Sequence, residues 1–190
     1  RLPRILTDQE LTSFFRVIED APLFHKIMLK LLFYTGLRVS ELVNIKISDI
    51  DIKNNKIFIN QGKGAKDRYV LFPESFRLVL EAYLTNLNGR QFLFESTRGT
   101  KYTPRRIQQL VSGYRKHAEI GSDTNRRLGP HILRHQFLTY LTRKGLTDAQ
   151  IQLISGYSTK KSLEVYQHLS LKDVEIRGKI ILRRSGSGQA

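Results

Sequence analysis

Apolar residues along this chain keep a helical period, abandon it once for a period of two, and then return to it. That single interruption constrains the fold more than any other feature, because a stretch patterned for a strand cannot bury its face as a helix. Thr7-Asp8-Gln9-Glu10 is a capping box, and Leu11, Phe14, Phe15 and Ile18 follow it at helical spacing. A second helix from about Pro22 carries Leu23, Ile27, Leu31 and Tyr34 and stops at Gly36, and a short third begins near Ser40. Ile50 and Ile52, then Ile57 and Ile59, alternate across Asn54-Asn55, a pair that tolerates the positive φ of a tight turn. Gly62-Lys63-Gly64-Ala65-Lys66 turns the chain into Arg68-Tyr69-Val70-Leu71-Phe72, which predicts three short antiparallel strands. After Pro73 the helical period resumes with Phe76, Val79, Leu80 and Tyr83, and Thr103-Pro104 caps a helix carrying Ile107, Leu110, Val111 and Tyr114. Gly129-Pro130 opens another that ends at Gly145, Thr147 caps the next as far as Gly156, and Ser158 or Thr159 starts one more. Ser170 caps a last helix that ends in Arg183-Arg184, and Ser185-Gly186-Ser187-Gly188 has the composition of a linker. The expected class is α+β, mostly helical.

A chain of 190 residues with 40% hydrophobic content buries roughly 70% of its unfolded surface, so it needs no covalent staple. It has no cysteine, which removes a disulfide framework, a thiolate zinc site and a cysteine nucleophile together. A reducing, cytoplasmic location is the expectation, with no membrane partner, since no apolar run approaches the roughly 18 residues of a span. A start at Arg1 fits a piece of a longer chain. Lys and Arg number 32 against 17 acidic residues, a net charge of +15. Between Arg98 and Lys144 eleven cations face only Glu119 and Asp123, the kind of stripe that tracks a phosphate backbone. A solvated, solubilising surface is the competing account.

The chain has no phosphate-binding Gly-x-x-x-x-Gly-Lys-Ser/Thr loop, no dinucleotide fingerprint, no His-Glu-x-x-His and no carboxylate cluster for a two-metal nuclease. The chemistry available is cationic. His131 and Arg134 project from one face at a helix start, where free N–H groups favour an anion. Singly, this pair, Arg38 after Thr35-Gly36-Leu37, and Lys63 in its turn read first as solvated charge, and Tyr166 between Leu163 and Leu169 reads first as part of a core stripe.

Together and in order the strings are more informative: Thr35-Gly36-Leu37-Arg38-Val39-Ser40-Glu41-Leu42, Gly62-Lys63-Gly64-Ala65-Lys66-Asp67-Arg68, Pro130-His131-Ile132-Leu133-Arg134-His135, Ser155-Gly156-Tyr157-Ser158 and Glu164-Val165-Tyr166-Gln167-His168. They closely resemble the catalytic domain of tyrosine site-specific recombinases, the Xer-like integrases in particular, over about residues 7 to 182. The resemblance implies the catalytic-domain fold over residues 1–184, with 185–190 as a tail and a further N-terminal DNA-clamping domain absent. It implies Tyr166 as nucleophile, Arg38 and Arg134 as phosphate-clamping arginines, Lys63 as the hairpin lysine and His131 as the histidine of His-x-x-Arg. One position departs: Tyr157 stands where the family usually has His or Trp, and either donates a hydrogen bond to a phosphate oxygen or only packs at Gly156.

Those residue types suit phosphodiester chemistry with no metal and no cofactor. Two guanidiniums hold nonbridging oxygens bidentately as charge builds on them, His131 accepts the phenolic proton, and the Lys63 ammonium supplies a proton to the leaving 5′ oxygen. Glu41, three residues after Arg38, either orients that guanidinium or forms an ordinary surface pair; His135 supports its neighbours. Arg105 and Arg106 at a helix start, and Lys66 and Arg68 flanking the hairpin, are expected to contact the DNA backbone. The resemblance further implies double-stranded DNA as partner, four protomers on two duplexes with Leu171–Leu182 docking on a neighbour, and an accessory activator. A tyrosine-type topoisomerase and a catalytically silent nucleic-acid-binding module remain the alternatives at this level.

Overall fold

The computed structural model describes residues 5–60, 67–121, 129–147 and 150–151. Helix α1, Asp8–Glu19, begins at the expected capping box: Glu10 N–H donates to Thr7 Oγ1 at 3.2 Å and Thr7 N–H to the Glu10 carboxylate at 2.9 Å. Leu11, Phe14, Phe15 and Ile18 are its buried face. Helix α2, Leu23–Thr35, is buried through Ile27, Met28, Leu29, Leu31 and Leu32, and it touches every other main layer of the domain. It runs beside α1 and packs against the four-residue α3, Val39–Leu42, and against α4, Glu74–Thr85. Helix α5, Pro104–His117, lies on α1 and α3, and helix α6, His131–Arg143, lies on α2.

The interruption of helical period is a three-stranded antiparallel sheet in the order β1-β2-β3, with β1 at Ile50–Asp51, β2 at Lys56–Ile59 and β3 at Arg68–Leu71. Its register pairs Ile50 with Ile57, and Ile57 with Val70, so the alternating isoleucines share the core face. β1 is shorter than the alternation predicts. It ends at Asp51 because the chain turns through Ile52–Asn55, with Asn55 at φ +53°, and Asp51 accepts from both the backbone and the side-chain amide of Asn54. After α6 the chain reverses at Gly145, φ +84°, and Thr147 with Gln150 forms a second reciprocal cap, as predicted. The elements predicted beyond Ile151, including Leu171–Leu182, lie outside the described residues.

The turn between α2 and α3 spans only Gly36–Arg38. Gly36 ends α2 in the left-handed region at φ +61°, and its N–H donates to the Leu32 carbonyl. A Cβ on Gly36 would stand 2.3 Å from the ring of Phe137 on α6, so both the backbone angle and the space require glycine. Gly36→Ala is expected to cost about 2 to 5 kcal/mol, the sum of a strained φ and an overpacked contact. Urea unfolding followed by circular dichroism measures it, and a midpoint equal to the parent's contradicts this account of the turn.

Candidate active site

Arg38 is the residue before α3, extended at φ −72° and ψ 150°. Its N–H donates to Glu41 Oε2 at 2.8 Å and its Nη1 to Glu41 Oε1 at 3.0 Å. The Arg38 side chain is still 43% exposed. Glu41 therefore holds one nitrogen of the guanidinium and leaves much of the group open. Arg134, on the second turn of α6, donates through Nη1 to the carbonyl of Gly36. That contact joins residues 98 apart in sequence and sets Arg134 beside the turn that carries Arg38. Phe137, one helical turn further, seals the same turn from below.

His131 is the first residue of α6 and is exposed, following Pro130, whose fixed φ suits a helix start. His131 and Arg134 thus share one face of the first turns. His135 is half-buried beside them. Burial lowers its pKa below the ordinary imidazole value, and the neighbouring His131 and Arg134 lower it further. A histidine so placed favours its neutral form. Gln136 Oε1 accepts from the Leu6 N–H at 3.0 Å, tying α6 to the segment that precedes α1.

Arg105 and Arg106 are both exposed in the first turn of α5, where Thr103 Oγ1 accepts from the Arg106 N–H at 3.2 Å. Cations at a helix N-terminus oppose the helix dipole, so this pair does not serve the helix. They suit an external anion. The helix is anchored by buried Ile107 and Val111 and by the 2.7 Å hydrogen bond between His25 Nδ1 and the Tyr114 hydroxyl. Burial pushes the His25 pKa down, and the nearby Arg106 adds to that shift.

Arg68 corrects an expectation. Its side chain is 1% exposed, so it is no surface cation able to reach a DNA backbone. It lies against Glu41, with Nη1 to Oε1 at 3.1 Å and Nη2 to Oε2 at 2.8 Å, a two-pronged pair across 27 residues. The carboxylate of Glu41, itself 7% exposed, accepts from both arginines at once, and the surface-pair reading of Glu41 gives way to a buried one. The signal was present in the strand period. Arg68 pairs with Ile59 and shares a face with Val70, so an arginine on the core side of β3 demanded a buried carboxylate.

Lys63, Lys66, Tyr157 and Tyr166 lie outside the described residues. Among the described residues no group of three or more His, Asp or Glu side chains is arranged to hold a metal ion, and no helix is long and apolar enough to cross a membrane.

A profile of the phage integrase family matches residues 4–172 of this chain. The chain belongs to the phage integrase family. A Bacillus subtilis (strain 168) protein named tyrosine recombinase XerC is 33% identical over 184 residues, spanning 90% of this chain and 58% of the relative. Tyrosine recombinase XerA of Thermococcus onnurineus (strain NA1) is also 33% identical, over 175 residues, spanning 90% of this chain and 60% of the relative. Among solved structures, a crystal structure of XerA recombinase superposes with a TM-score of 0.72 at 27% identity, over all of this chain and 67% of that one. XerH recombinase bound to its difH substrate, in a pre-cleavage complex, gives 0.70 at 25% identity, over 92% of this chain and 53% of that one. This phage integrase family member therefore has the recombinase catalytic-domain fold, helical around a small three-stranded sheet, and spans 58 to 60% of the length of those two curated relatives.

Because Glu41 neutralises a guanidinium that has no access to water, Glu41→Ala is expected to destabilise the domain by about 3 to 5 kcal/mol. Glu41→Ala/Arg68→Met leaves no lone buried charge, so it should unfold at a higher urea concentration than the single variant. A double variant no more stable than Glu41→Ala would show that the pair is not what the loss reports.

Proposed function

We propose that this chain is the catalytic domain of a site-specific DNA recombinase that cleaves and rejoins strands through a 3′-phosphotyrosyl intermediate. The observation that carries this reading is the grip of Arg134 on the Gly36 carbonyl, which gathers the Thr35–Arg38 and His131–Arg134 strings around one turn. Two guanidiniums beside one half-open surface are what a phosphodiester needs when negative charge grows on its nonbridging oxygens. Arg38 and Arg134 clamp those oxygens, with Glu41 fixing the angle of Arg38. Tyr166 Oη attacks phosphorus, its proton passing to the exposed imidazole of His131, while the bond to the 5′ oxygen breaks and that oxygen takes a proton from Lys63. One phosphoester replaces another, so the bond energy is kept for rejoining to a second 5′ hydroxyl. Tyr157 donates a hydrogen bond to a nonbridging oxygen in the place where relatives use His or Trp.

Double-stranded DNA is the partner this chemistry requires. Arg105, Arg106 and Lys66 approach its backbone, with the first two already exposed at a helix end that favours an anion. Four protomers on two duplexes, linked through Leu171–Leu182 and triggered by an accessory protein, complete the reading. The named relatives are recombinases and one neighbour is held on its DNA site, which supports strand exchange over supercoil relaxation or silent binding.

A pool of nicked duplexes with a randomised core, incubated with the protein and then denatured, is expected to yield a covalent adduct that maps to the peptide containing Tyr166. Tyr166→Phe should abolish the adduct and leave duplex affinity within about twofold, since one hydroxyl contributes little to an electrostatic interface. Adduct persisting in that variant assigns the nucleophile elsewhere. Duplex affinity should also fall steeply with salt, and replacing Arg105 and Arg106 by Gln should reduce the slope of log affinity against log salt by about one to two phosphate equivalents. A slope unchanged by the double replacement would mean that α5 stands clear of the DNA.

A further inference from the structure

Arg68 does something that its stability contribution does not explain. A buried ion pair of this size is commonly no more stabilising than a well-packed apolar pair, and here one donor, Arg68 Nε, is buried with no hydrogen-bond partner among the described residues. A methionine or leucine in the same slot of β3 would fill the space without that penalty. What an apolar residue cannot do is hold both oxygens of Glu41. With Nη1 on Oε1 and Nη2 on Oε2, Arg68 fixes the plane of the carboxylate. Those same two oxygens accept from the Arg38 Nη1 and the Arg38 backbone N–H, so the carboxylate fixes where one nitrogen of the exposed guanidinium sits. Glu41 lies on the four-residue α3, which is too short to hold a side chain rigidly by its own backbone. Arg68 comes from the sheet, where its backbone is locked in register opposite Ile59.

We propose that Arg68 is a positioning residue for the cleavage reaction, acting from the core through Glu41 to orient Arg38 toward the nonbridging oxygens of the scissile phosphate. This rests on the reading of Arg38 as a phosphate clamp. The relay runs sheet to carboxylate to guanidinium, and no atom of Arg68 touches DNA. Its loss therefore acts on the chemical step and leaves affinity alone. A lysine would restore the charge but offers a single point of attachment in place of a planar fork, so it restores the orientation only in part.

The test uses a duplex recovered from the randomised pool, prepared with either an ordinary phosphate or a methylphosphonate at the cleaved position. A methylphosphonate has one nonbridging oxygen fewer to carry charge, so its cleavage depends less on a correctly aimed guanidinium. Single-turnover cleavage of the ordinary duplex at saturating DNA should be roughly 100-fold slower in Arg68→Met than in the parent, Arg68→Lys should fall between them, and the methylphosphonate should recover most of that loss. Duplex affinity should be unchanged throughout. Equal impairment on both substrates would overturn the proposal by making Arg68 a structural residue only. Rescue by a 5′ bridging sulfur, with none by the methylphosphonate, would overturn it by placing the effect on Lys63. Independently of any DNA, the Arg38 guanidinium signals in a spectrum of the protein with nitrogen-15 arginine should be resolved in the parent, because Glu41 restrains rotation, and averaged in both variants. An Arg38 signal identical in parent and folded variant would also sink the relay. If the parent forms no adduct with any duplex of the pool, the recombinase reading fails, while the arginine spectra still decide whether Arg68 orders Arg38.

Discussion

The hydrogen bond from Arg134 to the carbonyl of Gly36 is the interaction on which the site depends. It fastens the first turns of α6 to the end of α2, and α2 is the helix against which α1, α3, α4 and α6 all pack. Gly36 can offer that carbonyl because its left-handed conformation ends α2 and turns the chain toward Arg38. Phe137 fills the space that any side chain on Gly36 would take. One glycine thus satisfies a helix cap, an arginine and an aromatic ring together. The hydrophobic contacts around it supply the stability, and the turn directs that stability to one place.

A second tie comes from the sheet. Glu41 accepts from Arg38 on one side and from Arg68 on the other, so the exposed cation and the buried one share a carboxylate. The burial of Glu41 makes this contact strong, because water does not compete for its oxygens. Arg38 stays half in solvent, with one guanidinium nitrogen on the carboxylate and much of the rest of the side chain open. The sheet is small, with a β1 of two residues, and its bearing on the site lies in holding Arg68 at a fixed height beneath Glu41.

Much of this was legible in the sequence where the signal was local. The capping box at Thr7, the glycine stop at Gly36, the Asn54-Asn55 turn and the Thr103-Pro104 helix start each declare themselves within a few residues. So did the cations of the site, because Arg38, His131 and Arg134 sit in strings with a recognisable order. What the sequence concealed was long-range. The partnership of Arg134 with a backbone carbonyl leaves no mark on residue 36 beyond its being glycine. The inward register of Arg68 was readable from β3 alone, yet proximity in sequence to Lys63 and Lys66 made it look like a surface charge. Reading strand parity before charge would have separated Arg68 from Lys66.

The clasp between α6 and the Gly36 turn also has a bearing on how the protein comes into being. Contacts that close loops of this length form late, because chain entropy must be overcome before they contribute. During synthesis the N-terminal helices and the sheet emerge first and can pack on one another, whereas Arg134 arrives after most of the described core has been made. A nascent or truncated chain lacking α6 would hold Arg38 and Glu41 without the second guanidinium beside them. The two guanidiniums are thereby brought together only once α6 has docked on α2.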